Sequence, residues 1–90
     1  MIRRAYRFTG QVQGVGFRYR ARHAAGLFHV TGWVRNRYDG SVAMEAQGER
    51  DDIERMIEWL RNEPFLDTDG IECRDIAIEG NCDTFEIRRG

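Results

Sequence analysis

The stretch "TGWVRNRYDGSVAMEAQG", residues 31 to 48, decides the fold. Two alternating segments, "TGWVRN" and "SVAMEAQG", flank "RYDG". Asp-Gly between such segments is a hairpin signal, because both residues tolerate the positive φ that a tight reversal needs. On either side of this hairpin the apolar period changes from two to between three and four. Upstream, Phe17, Ala21, Ala24, Ala25 and Phe28 form a stripe that predicts a helix over 17–28. No glycine directly follows Phe28, so His29 is the candidate for its left-handed cap. Downstream, "GERDDIERMIEWLRNEP" carries Ile53, Met56, Ile57 and Leu60 on one face. Asp51 and Asp52 suit the positive end of that helix, and Pro64 lies beyond its end.

The outer segments read as strands. In "RRAYRFTGQV", Tyr6, Phe8 and Val12 set against Arg4, Arg7 and Gln11 predict a first strand of about 3 to 11. "FLDTDG" reads as a loop, and "IECRDIAIEG" as a strand carrying Ile71, Cys73, Ile76 and Ile78. Its imperfect alternation predicts a bulge or register break near Arg74 and Asp75. "DTFEIRR" closes the chain as a short strand with Phe85 and Ile87 on one face. The order β-α-β-β-α-β plus a final strand predicts an α+β fold, a ferredoxin-like α/β sandwich. Both helices then cover one face of a mostly antiparallel sheet.

A chain of 90 residues supports one core, so residues 1–90 are expected to form a single domain. The net charge of -1 weighs against a nucleic-acid partner, which usually calls for a basic excess. "MIRRAYRFTG" has no apolar run behind its arginines, and no stretch reaches the roughly 18 apolar residues of a membrane span. Cys73 and Cys82 are too few for a disulfide framework and fit no zinc spacing. The expectation is a cytoplasmic monomer without metal or cofactor, acting on neither nucleic acid nor membrane.

"GQVQGVGFRYRA", residues 10 to 21, is the candidate site. A helix crossover makes the first two strands parallel, so the glycine-rich loop and Asn36 leave the sheet at one edge. A glycine-rich turn entering a helix presents unpaired backbone N–H groups to an anion, and glycine lets the ligand approach closely. Arg18 would sit in the first helical turn, where a cation opposes the dipole unless an anion pairs with it. On these grounds alone, a tight turn with a solvated arginine explains the loop equally well. Asn36 likewise reads as an ordinary residue opening the hairpin, and Trp33 as packing. Tyr19 and Tyr38 are placed to border the mouth of such a site.

Other motifs fail on detail. GxxxxGK[ST] is absent, and Gly14 and Gly16 are not followed by the third glycine of GxGxxG. Cys82 to Arg88 has a Cys-x5-Arg spacing, but its interior "DTFEI" alternates like a strand. "QGVGFRY" is faintly similar to an RNA-binding strand motif, yet it precedes a helix, and "SVAMEAQG" has no aromatic on which to stack a base.

Together, "GQVQGVGFR", "TGWVRNRYDGSVAMEAQGE" and the terminal "FEIRR" resemble the acylphosphatase family, with the main match running from about residue 8 to 49. The resemblance implies the sandwich fold and hydrolysis of the carboxyl–phosphate bond of acyl phosphates without metal or cofactor. It places catalytic roles on Arg18 and Asn36, and the phosphate-binding loop on Gln13, Gly14, Val15, Gly16 and Phe17. A phosphate or sulfate anion is then expected to occupy the same loop. The chemistry fits: a carboxylate leaves without protonation, Arg18 and loop N–H groups stabilise the phosphoryl group, and Asn36 holds the water. His29 departs from the family's usual glycine, and "NEPFLDTDGIECRDI" lacks its Gly-Pro-rich approach to the fourth strand.

The family's last strand lies beside the second and parallel to it. Cys73 and Cys82 are therefore expected to stay reduced, and the carboxylate of Gly90 to come near Arg18. Two alternatives are a phosphate-binding module without turnover and a maturation-type domain handling carbamoyl phosphate. A chain running from Met1 to just past its last strand favours a stand-alone enzyme over the latter.

Overall fold

The computed structural model describes residues 1–14, 16–64 and 67–89. Its elements are β1 (Ile2–Gln11), α1 (Phe17–Phe28), β2 (Thr31–Asn36), β3 (Val42–Gly48), α2 (Arg50–Arg61), β4 (Asp67–Ile76) and β5 (Phe85–Arg88). The sheet order is β4-β1-β3-β2-β5. Strand β3 pairs antiparallel with both β1 and β2, which makes those two parallel, and β4 pairs antiparallel with β1. β5 lies parallel to β2, as expected. This is the ferredoxin-like α+β sandwich.

Alternation assigns each side chain to a face. Tyr6 and Phe8 of β1 stand opposite Met44 and Val42 of β3, with Val34 of β2 in the same layer. All five are buried, beneath Phe17, Ala21 and Ala24 of α1 and Ile53, Met56 and Leu60 of α2. The alanines let α1 approach the sheet closely, while the longer side chains of α2 fill the space on its side. Phe8 and Phe17 meet with ring centroids 4.8 Å apart, fixing the start of α1 over β1. His29 takes the left-handed cap at φ 58°, and the next N–H, from Val30, donates to the Ala25 carbonyl at 2.9 Å. No helix among the described residues is long and apolar enough to cross a membrane.

Two expectations fail at β4. The strand begins at Asp67, inside the segment read as a loop, and ends at Ile76, leaving Ile78 outside it and exposed. Its register runs unbroken past Arg74 and Asp75; the irregularity lies between Thr9 and Gly10, opposite Asp69. An edge strand whose side chains are mostly exposed is under little pressure to alternate, so its hydrophobic pattern reports neither its ends nor its register. Phe65 and Leu66 of the same loop reading lie outside the described residues.

Trp33 packs on the helix-free face, with the guanidinium carbons of Arg35 and Arg88 5.4 and 5.1 Å from its ring centre. Arg3 is buried, at 1 % exposure. It donates to Glu45 at 2.8 and 2.9 Å, to Gln47 at 3.1 Å and to the Cys82 sulfur at 3.2 Å. Gln47 in turn exchanges two hydrogen bonds with the backbone of Glu79 (2.8 and 2.9 Å), so the segment before β5 folds over this end of the face. Both cysteines are free, and β4 and β5 occupy opposite edges of the sheet.

Gly32 has φ 141°, and a Cβ there would fall 1.8 Å from the Glu45 carbonyl oxygen of the neighbouring strand. Gly32→Ala is expected to destabilise the fold by about 2 kcal/mol through backbone strain and overpacking together. A urea titration checks this; an unchanged midpoint would show that the strands can separate at no cost.

Candidate active site

The site is built where β1 ends and α1 begins. As the chain leaves β1, Val12 donates its N–H to the Gly10 carbonyl at 3.0 Å, and Gly14 and Gly16 follow at φ 79° and 76°. A Cβ at either of these two would meet nothing within 4 Å, so glycine is needed there for its left-handed backbone and not for space. Gly16 is the N-cap and supplies no side-chain hydrogen bond, which leaves the first N–H groups of α1 without a side-chain partner at the cap.

The two helices treat their dipoles in opposite ways. Helix α2 has Asp51 and Asp52 in its first turn and Arg61 in its last, as electrostatics favours. Helix α1 has no acidic residue in its first turn, and Arg18 and Arg20 lie there instead. Arg20 is accounted for by Glu63, 2.9 Å away. Among the described residues no carboxylate lies within ion-pair distance of Arg18, which is only partly exposed. A helix start that gathers N–H groups and a guanidinium, with no carboxylate beside them among the described residues, has the chemistry to hold an anion.

Asn36 is the last residue of β2, paired with Val42 and in the same alternation as Val34, so it faces the helix side. Among the described residues its side chain makes no hydrogen bond. The hairpin beyond it is physically tied to the glycine loop. The Gln13 side-chain amide donates to the carbonyl oxygens of Arg37 and of Ser41, the latter at 2.9 Å. Gln13 thus holds the loop against the end of β2, and its side-chain N–H groups are spent on that tie. Gly14, Gly16, Phe17, Arg18 and Asn36 are brought to one edge; Val15 and the Gly90 carboxylate lie outside the described residues. Phe17 contributes its backbone, since its ring is buried against Phe8. His23 packs near Trp59 at 5.7 Å and His29 caps the far end of α1, so neither histidine belongs to this edge. Tyr38 is fully exposed at the hairpin tip and Tyr19 partly so.

The hairpin is held by a residue that sequence reasoning assigned only to the turn. Asp39 accepts from the Ser41 hydroxyl at 2.6 Å and the Ser41 N–H at 3.0 Å, and its other oxygen lies 3.4 Å from Arg7. An Asp two positions before a Ser is the readable signal for such a turn. The Ser41 hydroxyl, then the Ser41 N–H and Arg7, push the Asp39 carboxyl down from 3.8 to about 2. A carboxyl lowered in the folded state stabilises it fully above its unfolded value and ceases to do so as pH falls through the folded one. The Tm advantage of the native protein over Asp39→Asn should therefore be constant above about pH 4 and shrink toward about pH 2. A difference that stays constant across that window would contradict the assignment.

Comparison with known proteins gives the family. The Acylphosphatase family profile matches residues 4–87. An acylphosphatase of Bordetella parapertussis is 49% identical over 80 residues, covering 89% of this chain and 78% of the relative. One of Salinibacter ruber is 46% identical over 80 residues, covering 89% and 82% respectively. The crystal structure of acylphosphatase from Bacillus subtilis superposes with a TM-score of 0.90 at 31% identity, over 98% of this chain and 99% of that one. With a family profile spanning nearly the whole chain and relatives of this identity, the chain belongs to the acylphosphatase family.

Proposed function

We propose that Arg18, the N–H groups of the glycine loop and Asn36 carry out the family's reaction in this chain, hydrolysis of an acyl phosphate to a carboxylate and phosphate. The observation that carries the assignment is the start of α1, which has an arginine, N–H groups with no side-chain cap and no acid in its first turn, tied by Gln13 to the carbonyls of Arg37 and Ser41 just beyond Asn36. The phosphoryl oxygens lie against the N–H groups and the Arg18 fork, which stay in place while the phosphoryl group moves from one oxygen to another. Asn36 holds a water in line through its carbonyl oxygen and amide. The water oxygen forms the new bond to phosphorus, and the acyl oxygen leaves with the bonding electron pair as carboxylate. An amide is no base, so the water's proton passes to a phosphate oxygen. The leaving carboxylate needs no general acid, consistent with both histidines lying elsewhere.

Purified protein is expected to turn over benzoyl phosphate, followed by ultraviolet loss, with the same rate after chelator treatment. Phosphate protection without turnover would make the cradle a binding module. Activity recovered only on adding magnesium or zinc would refute the metal-free reading.

A further inference from the structure

The helix-free face of the sheet holds a cavity of about 610 Å³, lined by none of the residues assigned to the reaction. That volume falls in the range of small-molecule sites. Strand register puts Arg74, Ala5, Glu45 and Trp33 in one cross-strand row and Glu72, Arg7, Ala43 and Arg35 in the next. Ala5 and Ala43 make a low apolar floor, with Trp33 rising at one side. The segment held by Arg3 and Gln47 lies beyond one end, and Arg37 and Asp39 of the hairpin line the other.

The charges of this trough do not balance. Glu45 is taken by Arg3 at 2.8 Å, Glu72 by Arg7 at 3.1 Å, and Asp39 by Ser41 and Arg7. Among the described residues, Arg35, Arg37 and Arg74 have no carboxylate within ion-pair distance. Positive charge is therefore in local surplus on a chain whose net charge is -1. Guanidinium groups fit phosphate oxygens two at a time, and an indole beside a flat apolar floor fits a planar ring.

We propose that this trough is a second binding site, for a small anion carrying a flat aromatic ring, of the nucleoside monophosphate class. The ring lies over Ala5 and Ala43 beside the edge of Trp33, whose face Arg35 and Arg88 cover, and the phosphate lies toward Arg37 and the Arg35 guanidinium on that indole, with Arg74 across the floor.

The test is a proton–nitrogen NMR titration of the full chain with adenosine monophosphate, with adenosine and with inorganic phosphate. Adenosine monophosphate should move the Trp33 indole N–H and the amides of Ala5 and Ala43 saturably. Inorganic phosphate should move Gly14, Gly16 and Arg18 only, so the two sites are read separately. Arg35→Gln and Arg74→Gln, tested singly, should each weaken the nucleotide about tenfold, the scale of one lost charge-assisted contact. Both should leave benzoyl phosphate turnover unchanged. Nucleotide shifts confined to the glycine loop, shifts equally large with adenosine and indifferent to both substitutions, or no saturable shift would each overturn the proposal.

Discussion

Arg18→Ala should lose phosphate affinity and turnover together, with kcat/KM falling about 10³-fold, roughly 4 kcal/mol. The size follows from where the guanidinium sits. It stands in the first turn of α1, where its charge opposes the helix dipole, and no described carboxylate offsets it. In the proposed reaction a phosphoryl group supplies the missing anion, and the planar fork contacts two of its oxygens in the bound substrate as in the transition state. Removing it takes away ground-state binding and transition-state stabilisation alike, so phosphate titration and steady-state kinetics should fail in parallel. Stability should not fall, since a cation at a helix start is unfavourable in the absence of ligand. An Arg18→Ala protein that bound phosphate normally would move the anion site elsewhere.

Asn36→Ala should separate what Arg18→Ala joins. Phosphate binding stays nearly intact, while kcat falls about 10²-fold, about 3 kcal/mol. In the proposed reaction the amide touches the water and not the phosphate, so its loss leaves the cradle whole and the nucleophile unplaced. Asn36 ends β2 and makes no described side-chain hydrogen bond, so truncation breaks none among the described residues. Near-normal kcat in Asn36→Ala would remove the water-positioning role.

Much of this edge was legible in residues alone. Asp-Gly fixed the hairpin, the two stripes fixed the helices, and the crossover rule then put the glycine loop and Asn36 at one edge. His29 as a left-handed cap followed from the missing glycine, and its φ of 58° agrees. What sequence could not reach were positions where burial does not follow residue type. Arginine is a residue type seldom fully buried, yet Arg3 is, because Glu45, Gln47 and Cys82 come from distant positions to satisfy it. Gln13 has no periodic signature, so its tie to Arg37 and Ser41 emerges only once the loop and the hairpin are side by side. Trp33 alternates correctly, yet alternation does not say which face the helices cover. At β4 the polar start "DTDG" imitates a turn, and an edge strand tolerates it.

The central claim is that water attacks phosphorus within the Arg18 cradle. Hydrolysis of benzoyl phosphate in ¹⁸O-labelled water tests it most directly, with the products read by mass spectrometry. The label should appear in phosphate, with benzoate unlabelled, because the acyl oxygen leaves with its bond to carbon intact. Label in benzoate would mean attack at the carbonyl carbon and would contradict the assignment of both Arg18 and Asn36.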